Sequence, residues 1–224
     1  MGPDPEPGRK MSMRINEIFY SIQGESSYMG FPAVFIRLSG CDLRCSYCDT
    51  SYAFHESVEL TIPEILRSIA GYPTKLAIVT GGEPMLQPSI HDLFRELLEL
   101  GYEVLAETGG HVALDQVDPR VHKIMDLKCP SSGTAQHNRF ENIECLDGHD
   151  EIKFVVGDRR DFDWACEIIR RYDLPSRVGT VLFSSVHHAL PYDELARWVL
   201  ESGLKVRLQL QLHKVIWPDM LRGV

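Results

Sequence analysis

With 224 residues, 44% hydrophobic and 25% charged, the chain is long and apolar enough to bury a sizeable core, which excludes a disordered or fibrous design. Its formal net charge of -9 argues against broad attraction to nucleic acid and favours small-molecule chemistry. No stretch forms a signal-peptide core or approaches membrane-spanning length, so a cytoplasmic protein with free thiols and no membrane partner is expected.

Residues 1–10, rich in proline and glycine, read as a flexible tail, and residues 11–224 as a single domain. The first strong strand is expected over residues 33–39 (AVFIRLS). A helix over 61–72 follows from a capping box between Thr61 and Glu64 and from Ile62, Ile65, Leu66 and Ile69 on one face. Residues 75–80 (KLAIVT) read as a buried strand, and Ile90, Leu93, Phe94, Leu97 and Leu98 mark a second amphipathic helix that Gly101 stops. Strands over 103–107, 122–127, 151–156, 179–183 and 205–212, helices over 162–172 and 193–201, and a polar loop or lid over 131–148 complete the pattern. Strands alternating with helices make the fold class α/β. One partial (β/α) barrel is the simplest architecture, and a doubly wound open sheet shares the same local periodicity.

Cys41, Cys45 and Cys48 follow the first strong strand with the spacing C-x3-C-x2-C, while Cys129, Cys145 and Cys166 stand far away and singly. A disulfide framework explains this badly; a metal explains it well. Structural zinc wants four protein ligands, for which only His55 or Cys129 stands as a fourth, and a zinc-stabilised binding protein without catalysis is the bland alternative. A four-iron cluster held by three cysteines instead leaves one iron open. Leu43 and Tyr47 supply apolar cover to such a cluster, which must work at low potential.

The spacing resembles that of the radical S-adenosylmethionine superfamily, and a second motif strengthens the resemblance: Gly81-Gly82-Glu83-Pro84 follows the next strand. The resemblance implies a 4Fe-4S cluster whose open iron chelates S-adenosylmethionine, with reductive cleavage yielding a radical that removes a hydrogen atom from a substrate alongside. Glycines at 81 and 82 let a backbone approach the methionine moiety closely. Ile22-Gln23-Gly24-Glu25, Cys48-Asp49-Thr50 and Glu107-Thr108-Gly109, in a short chain with almost nothing outside the core, narrow the likeness. They resemble the 7-carboxy-7-deazaguanine synthase family of queuosine and deazapurine biosynthesis. That family implies a radical-type partial barrel with a reduced helical complement and a carbon–nitrogen lyase that contracts the ring of 6-carboxy-5,6,7,8-tetrahydropterin with loss of ammonia. It further implies Mg2+, an external electron donor such as flavodoxin or ferredoxin, and a homodimer.

Read against that substrate, Arg37 stands inside an otherwise apolar strand, where a buried guanidinium needs an anion; a substrate carboxylate satisfies it, and Glu25 or Asp49 is the structural alternative. Gln23 and Glu25 suit the donor-rich edge of a pterin, or form a solvated turn around Gly24. By resemblance, Ile22 to Glu25, Arg37 and Thr80 meet the substrate, and Thr50 holds magnesium. Tyr47, Asp49, Gly82, Glu83, Thr108, Asp126, Leu127, Lys128, Ser184 and Ser185 line the cofactor cleft, although residues 126–128 depart from the Ser-Pro-Lys of many relatives. The rival inside the superfamily is an activating enzyme for a glycyl radical protein, which has no need of Arg37 or of residues 22–25 as a pterin pocket.

Overall fold

In the computed structural model, which describes residues 12–224, β1 (Ser12–Ile22) and β2 (Pro32–Leu38) form an antiparallel pair. The tail expected over residues 1–10 lies outside the described residues. A bulge between Ile15 and Glu17 shifts the β1 register, so Met13 and Ile15 face one side of the sheet and Phe19 the other. This break in the two-residue period hides β1 from a reading of the sequence. β3 (Val58–Thr61) pairs with the other edge of β1 and runs into α1 (Ile62–Ile69), where the capping box of Thr61 and Glu64 forms. The helix ends before the expected Tyr72, since Gly71 and Pro73 flank that residue.

A parallel array continues from β2 through β4 (Leu76–Gly81), β5 (Glu103–Thr108), β6 (His122–Asp126), β7 (Glu151–Val156), β8 (Thr180–Ser185) and β9 (Arg207–Gln209). The nine strands make one open sheet in the order β3-β1-β2-β4-β5-β6-β7-β8-β9, a partial barrel rather than a doubly wound sheet, because successive strands add on one side only. Helices α2 (Ile90–Glu99), α3 (Arg159–Tyr172), α4 (Leu174–Arg177), α5 (Tyr192–Ser202) and α6 (Leu212–Ile216) follow β4, β7, β8 and β9. Among the described residues no α-helix follows β5 or β6, so the helical complement is reduced. The segment expected as a loop or lid after β6 is packed: it forms short 3-10 turns, and Ser132, Asn142 and Ile143 are buried. β9 is shorter than expected because Leu212 N donates to the Gly24 carbonyl at 2.9 Å, drawing the chain off the ladder into α6.

The two faces of the sheet differ. One packs against the helices through Val34, Ile36, Val79, Leu93, Phe94, Phe154, Ile169 and Phe183. The other carries a small apolar cluster of Phe19, Phe35, Ile78, Leu105 and Ile124. With a two-residue period, the next residues toward the strand ends on that second face are Arg37, Thr80, Glu107 and Asp126. No helix of the described residues is long and apolar enough to cross a membrane.

Candidate active site

The cluster loop leaves β2 at Gly40, which adopts φ +97°, and its root is tied to the Gly-Gly-Glu segment by backbone hydrogen bonds from Gly82 N to Leu38 O at 3.1 Å and Glu83 N to Gly40 O at 2.8 Å. Gly82 is required by this contact, since a Cβ there would fall on the Gly40 carbonyl oxygen. The far half of the loop docks on the segment after β6: Ser46 N donates to Ser132 O at 2.9 Å and Ser46 Oγ to Ser131 O at 2.7 Å. Tyr47 donates its hydroxyl to Val155 O at 3.2 Å, and burial raises its pKa.

Cys41, Cys45 and Cys48 are free and half-buried. Burial, with Glu83 and Asp42 nearby, pushes the Cys41 thiol up to about 11. Cys45 Sγ lies 3.3 Å from Thr134 Oγ1 and Cys48 Sγ 3.9 Å from Thr50 Oγ1. Such a donor set fits an iron–sulfur cluster, whose sulfurs accept weak hydrogen bonds. Neither candidate for a fourth zinc ligand supports that alternative: Cys129 is fully buried in the helix-side core and His55 is exposed beside Phe54.

The residues read as cofactor contacts divide into anchors and open groups. Glu83 is buried and accepts from Met85 N at 3.0 Å, Thr108 Oγ1 at 2.8 Å and Gly109 N at 2.8 Å, so it joins the ends of β4 and β5. Desolvation raises its pKa. Leu127 packs in the helix-side core and offers the cleft only its backbone, whose N–H donates to Lys153 O. Lys128 Nζ donates to Asp126 Oδ2 at 2.9 Å, and that carboxylate holds the lysine's pKa up against burial. Ser184 Oγ accepts from Gln209 Nε2 at 2.9 Å. By contrast, Asp126 Oδ1 and Ser185 Oγ are buried and have no hydrogen-bond partner among the described residues, which is costly unless a ligand supplies one. These orphans suit the hydroxyl-rich body of S-adenosylmethionine.

Beside the loop, the inner-face charges form a connected layer. Arg37 Nε donates to Glu17 Oε1 at 2.7 Å, with Phe19 and Tyr52 against the guanidinium. Its partner is thus Glu17, neither Glu25 nor Asp49, and among the described residues its terminal nitrogens make no hydrogen bond. Thr80 Oγ1 and Gln23 Nε2 both donate to Glu107, at 2.9 and 3.0 Å. Glu25 accepts from Lys153 Nζ at 2.6 Å, Gln211 Nε2 at 2.8 Å and Gln209 Nε2 at 3.3 Å. Burial works to raise its pKa, but the Lys153 charge and then His213 hold it down to about 2. The turn at 22–25 is therefore no solvated loop: His213 packs where a Cβ of Gly24 would lie. Ile22 instead lines an apolar groove of about 360 Å³ with Trp217, Met220 and Val224.

Asp49, whose side chain is 49% exposed, pairs with Lys214 at 2.7 Å; partial desolvation works to raise its pKa, but that lysine lowers it to about 2. Thr50 Oγ1 lies 3.5 Å from Asp49 Oδ1, so hydroxyl and carboxylate oxygens stand together as a hard cation prefers. Reading the sequence missed Glu17, Lys153, Gln209, Gln211, His213 and Lys214, and it quoted Glu107 within a motif without giving it a role. The signal existed for some: Lys153 interrupts EIKFVV as Arg37 interrupts AVFIRLS, and Gln209 and Gln211 alternate with leucines.

A family model described as Radical SAM superfamily matches residues 35–200. A 7-carboxy-7-deazaguanine synthase of Koribacter versatilis is 42% identical over 95% of this chain and 100% of its own. One of Chlorobaculum tepidum is 43% identical over 95% of this chain and 97% of its own. Among solved structures, QueE from Escherichia coli aligns over 91% of this chain and 95% of its own with a TM-score of 0.74 and 24% identity, a likeness of fold.

Proposed function

The chain belongs to the radical S-adenosylmethionine superfamily and, within it, to the 7-carboxy-7-deazaguanine synthases, and from that premise we propose how its residues divide the work. It is a carbon–nitrogen lyase that contracts the ring of 6-carboxy-5,6,7,8-tetrahydropterin to 7-carboxy-7-deazaguanine with release of ammonia. Its cofactors are a 4Fe-4S cluster and S-adenosylmethionine, which would supply a hydrogen-abstracting radical, and Mg2+, which would help hold the substrate through oxygen ligands. Cys41, Cys45 and Cys48 hold the cluster, and the 11–224 segment forms one catalytic domain.

The observation that carries this reading is the inner-face layer of Arg37, Thr80, Glu107, Glu25 and Lys153, set beside the cluster loop and paired almost wholly within itself. Arg37 keeps both terminal nitrogens for the substrate carboxylate, because Glu17 fixes the guanidinium through Nε. Glu25 and Glu107 accept from the amine edge of the pterin while retaining their protein partners, since each carboxylate offers about four lone-pair sites. Thr50 and Asp49 hold the magnesium ion, and Asp126, Ser185 and Gly82 meet S-adenosylmethionine.

A soluble low-potential donor such as flavodoxin or ferredoxin supplies electrons, and a cytoplasmic setting accords with that need. Exposed Val215, Ile216, Met220 and Leu221 near the end of the chain favour a homodimer. Anaerobic incubation of the cluster-loaded protein with S-adenosylmethionine, reductant, Mg2+ and the carboxylated tetrahydropterin should give 7-carboxy-7-deazaguanine by mass spectrometry. Cleavage of S-adenosylmethionine without that product would overturn the assignment and turn attention to a glycyl radical partner.

A further inference from the structure

His111 takes no part in the roles assigned above, yet its ring stands between two carboxylates from different segments. Nε2 is 2.6 Å from Asp42 Oδ1 and Nδ1 is 3.6 Å from Glu83 Oε2, with the His111 side chain only 7% exposed. Asp42 directly follows the first cluster cysteine, and Glu83 belongs to the Gly-Gly-Glu-Pro segment. We propose that His111 is a positioning residue that bridges these two motifs, holding the Cys41 half of the cluster loop in register with the backbone that receives S-adenosylmethionine.

The anchoring of the loop is uneven, which is why such a bridge matters. Ser46 and Tyr47 tie its second half to the segment after β6 and to β7. Its first half is held at the root by backbone bonds from Glu83 N to Gly40 O and from Gly40 N to Ala53 O, while Asp42 beyond them lies largely exposed, with 58% of its side chain open to solvent. Arg44 ties that half to itself and to Phe54, donating to Cys41 O and Leu43 O at 2.7 Å, but the His111 contact is the side-chain tie that joins it to the Gly-Gly-Glu-Pro segment. Its far end is rigid, because Glu83 is buried and already accepts from Met85 N, Thr108 Oγ1 and Gly109 N. Nδ1 of His111 is buried and has no hydrogen-bond partner among the described residues, and Glu83 Oε2, 3.6 Å away, is the carboxylate that faces it. The bridge thus sets the direction of the Cys41 side chain from the cofactor side of the cleft.

The proposal rests on the reading that residues 41–48 hold the cluster. The test compares reconstituted wild type with His111→Ala, Asp42→Ala and the double variant, reading the rate of iron release to a chelator, the dissociation constant for S-adenosylmethionine, and cluster-free melting. Each single variant should release iron faster and bind S-adenosylmethionine more weakly by about tenfold, the worth of one hydrogen bond to a charged group. The double variant should be no worse than either single, since both remove the same bridge, and cluster-free melting should stay at the wild-type value. Wild-type release and affinity in His111→Ala overturn the proposal. So do multiplicative effects in the double variant, or a cluster-free melting loss large enough to account for the rest. Should His111→Ala fail to fold, the exposed Asp42→Ala variant carries the test with the same expected values, and wild-type behaviour in it overturns the bridge. Wild-type protein that takes up no iron overturns the cluster assignment instead.

Discussion

Arg37 is legible in the sequence as a charge in the wrong company, but Glu17 is not, because the bulge in β1 disguises which residues share its face. Lys153 carried the same signal in β7 and shows what Arg37 alone conceals: the inner face buries charges of both signs, so both cations already have an acidic partner while Arg37 keeps its terminal nitrogens open. Arg37→Lys should keep the cluster and bind S-adenosylmethionine normally yet turn over the pterin poorly, since one ammonium cannot serve both Glu17 and a carboxylate with the geometry of a planar fork. Wild-type turnover at limiting substrate in that variant would make the guanidinium structural. Glu25 supplies a pH test. Its pKa falls from an ordinary 4.5 to about 2 on folding, so its stabilisation is complete above the ordinary value and lost as pH drops through the folded one. The amount is about 3 kcal/mol. In cluster-free protein, Glu25→Gln should therefore flatten the acid limb of the stability curve measured by denaturant unfolding; an unchanged slope between pH 5 and about 2 would show that folding does not depress the Glu25 pKa.

At the scale of elements, the thiol spacing and the Gly-Gly-Glu-Pro turn were readable because each is short and local, whereas their mutual contact was not. Gly82 packs on Gly40 across β2 and β4, a neighbour distant in the chain. Gly82→Ala should displace the loop root at a cost of about 1–3 kcal/mol and weaken S-adenosylmethionine binding, measured by melting and by titration. Unaltered affinity would mean that the root adjusts freely. Cys41→Ala, Cys45→Ala and Cys48→Ala should each abolish the cluster, while Cys129→Ala should leave iron content intact, because Cys129 sits in the helix-side core. Loss of iron in Cys129→Ala without loss of folding would contradict that separation. The stretch after β6 read as a loop or lid because its composition is polar. The structure uses those polar groups as internal partners instead: Asn142 donates to Gly110 O and Val112 O and accepts from Leu114 N. Composition alone does not distinguish a solvated loop from one that satisfies its own backbone.

For the whole molecule, alternating strands and helices pointed to a parallel sheet, but openness and strand order depend on long-range pairing that local periodicity does not encode. The missing helix after β6 was partly visible as the polar stretch over 131–148; the antiparallel β1 and β3 edge was not. At this scale the exposed apolar residues at the end of the chain predict a dimer by light scattering, and Leu221→Asp with Ile216→Asp should shift it to monomer; a monomer in wild type over the working concentration range would remove the homodimer. The central claim is that the inner-face layer receives the pterin with Arg37 on its carboxylate. Calorimetric titration tests it most directly, comparing 6-carboxy-5,6,7,8-tetrahydropterin with the same tetrahydropterin lacking the carboxylate, on S-adenosylmethionine-loaded wild type and Arg37→Ala. Wild type should prefer the carboxylated ligand by about 2–5 kcal/mol, and the preference should vanish in Arg37→Ala. Equal affinity of wild type for both ligands, or a preference that survives in Arg37→Ala, would contradict it.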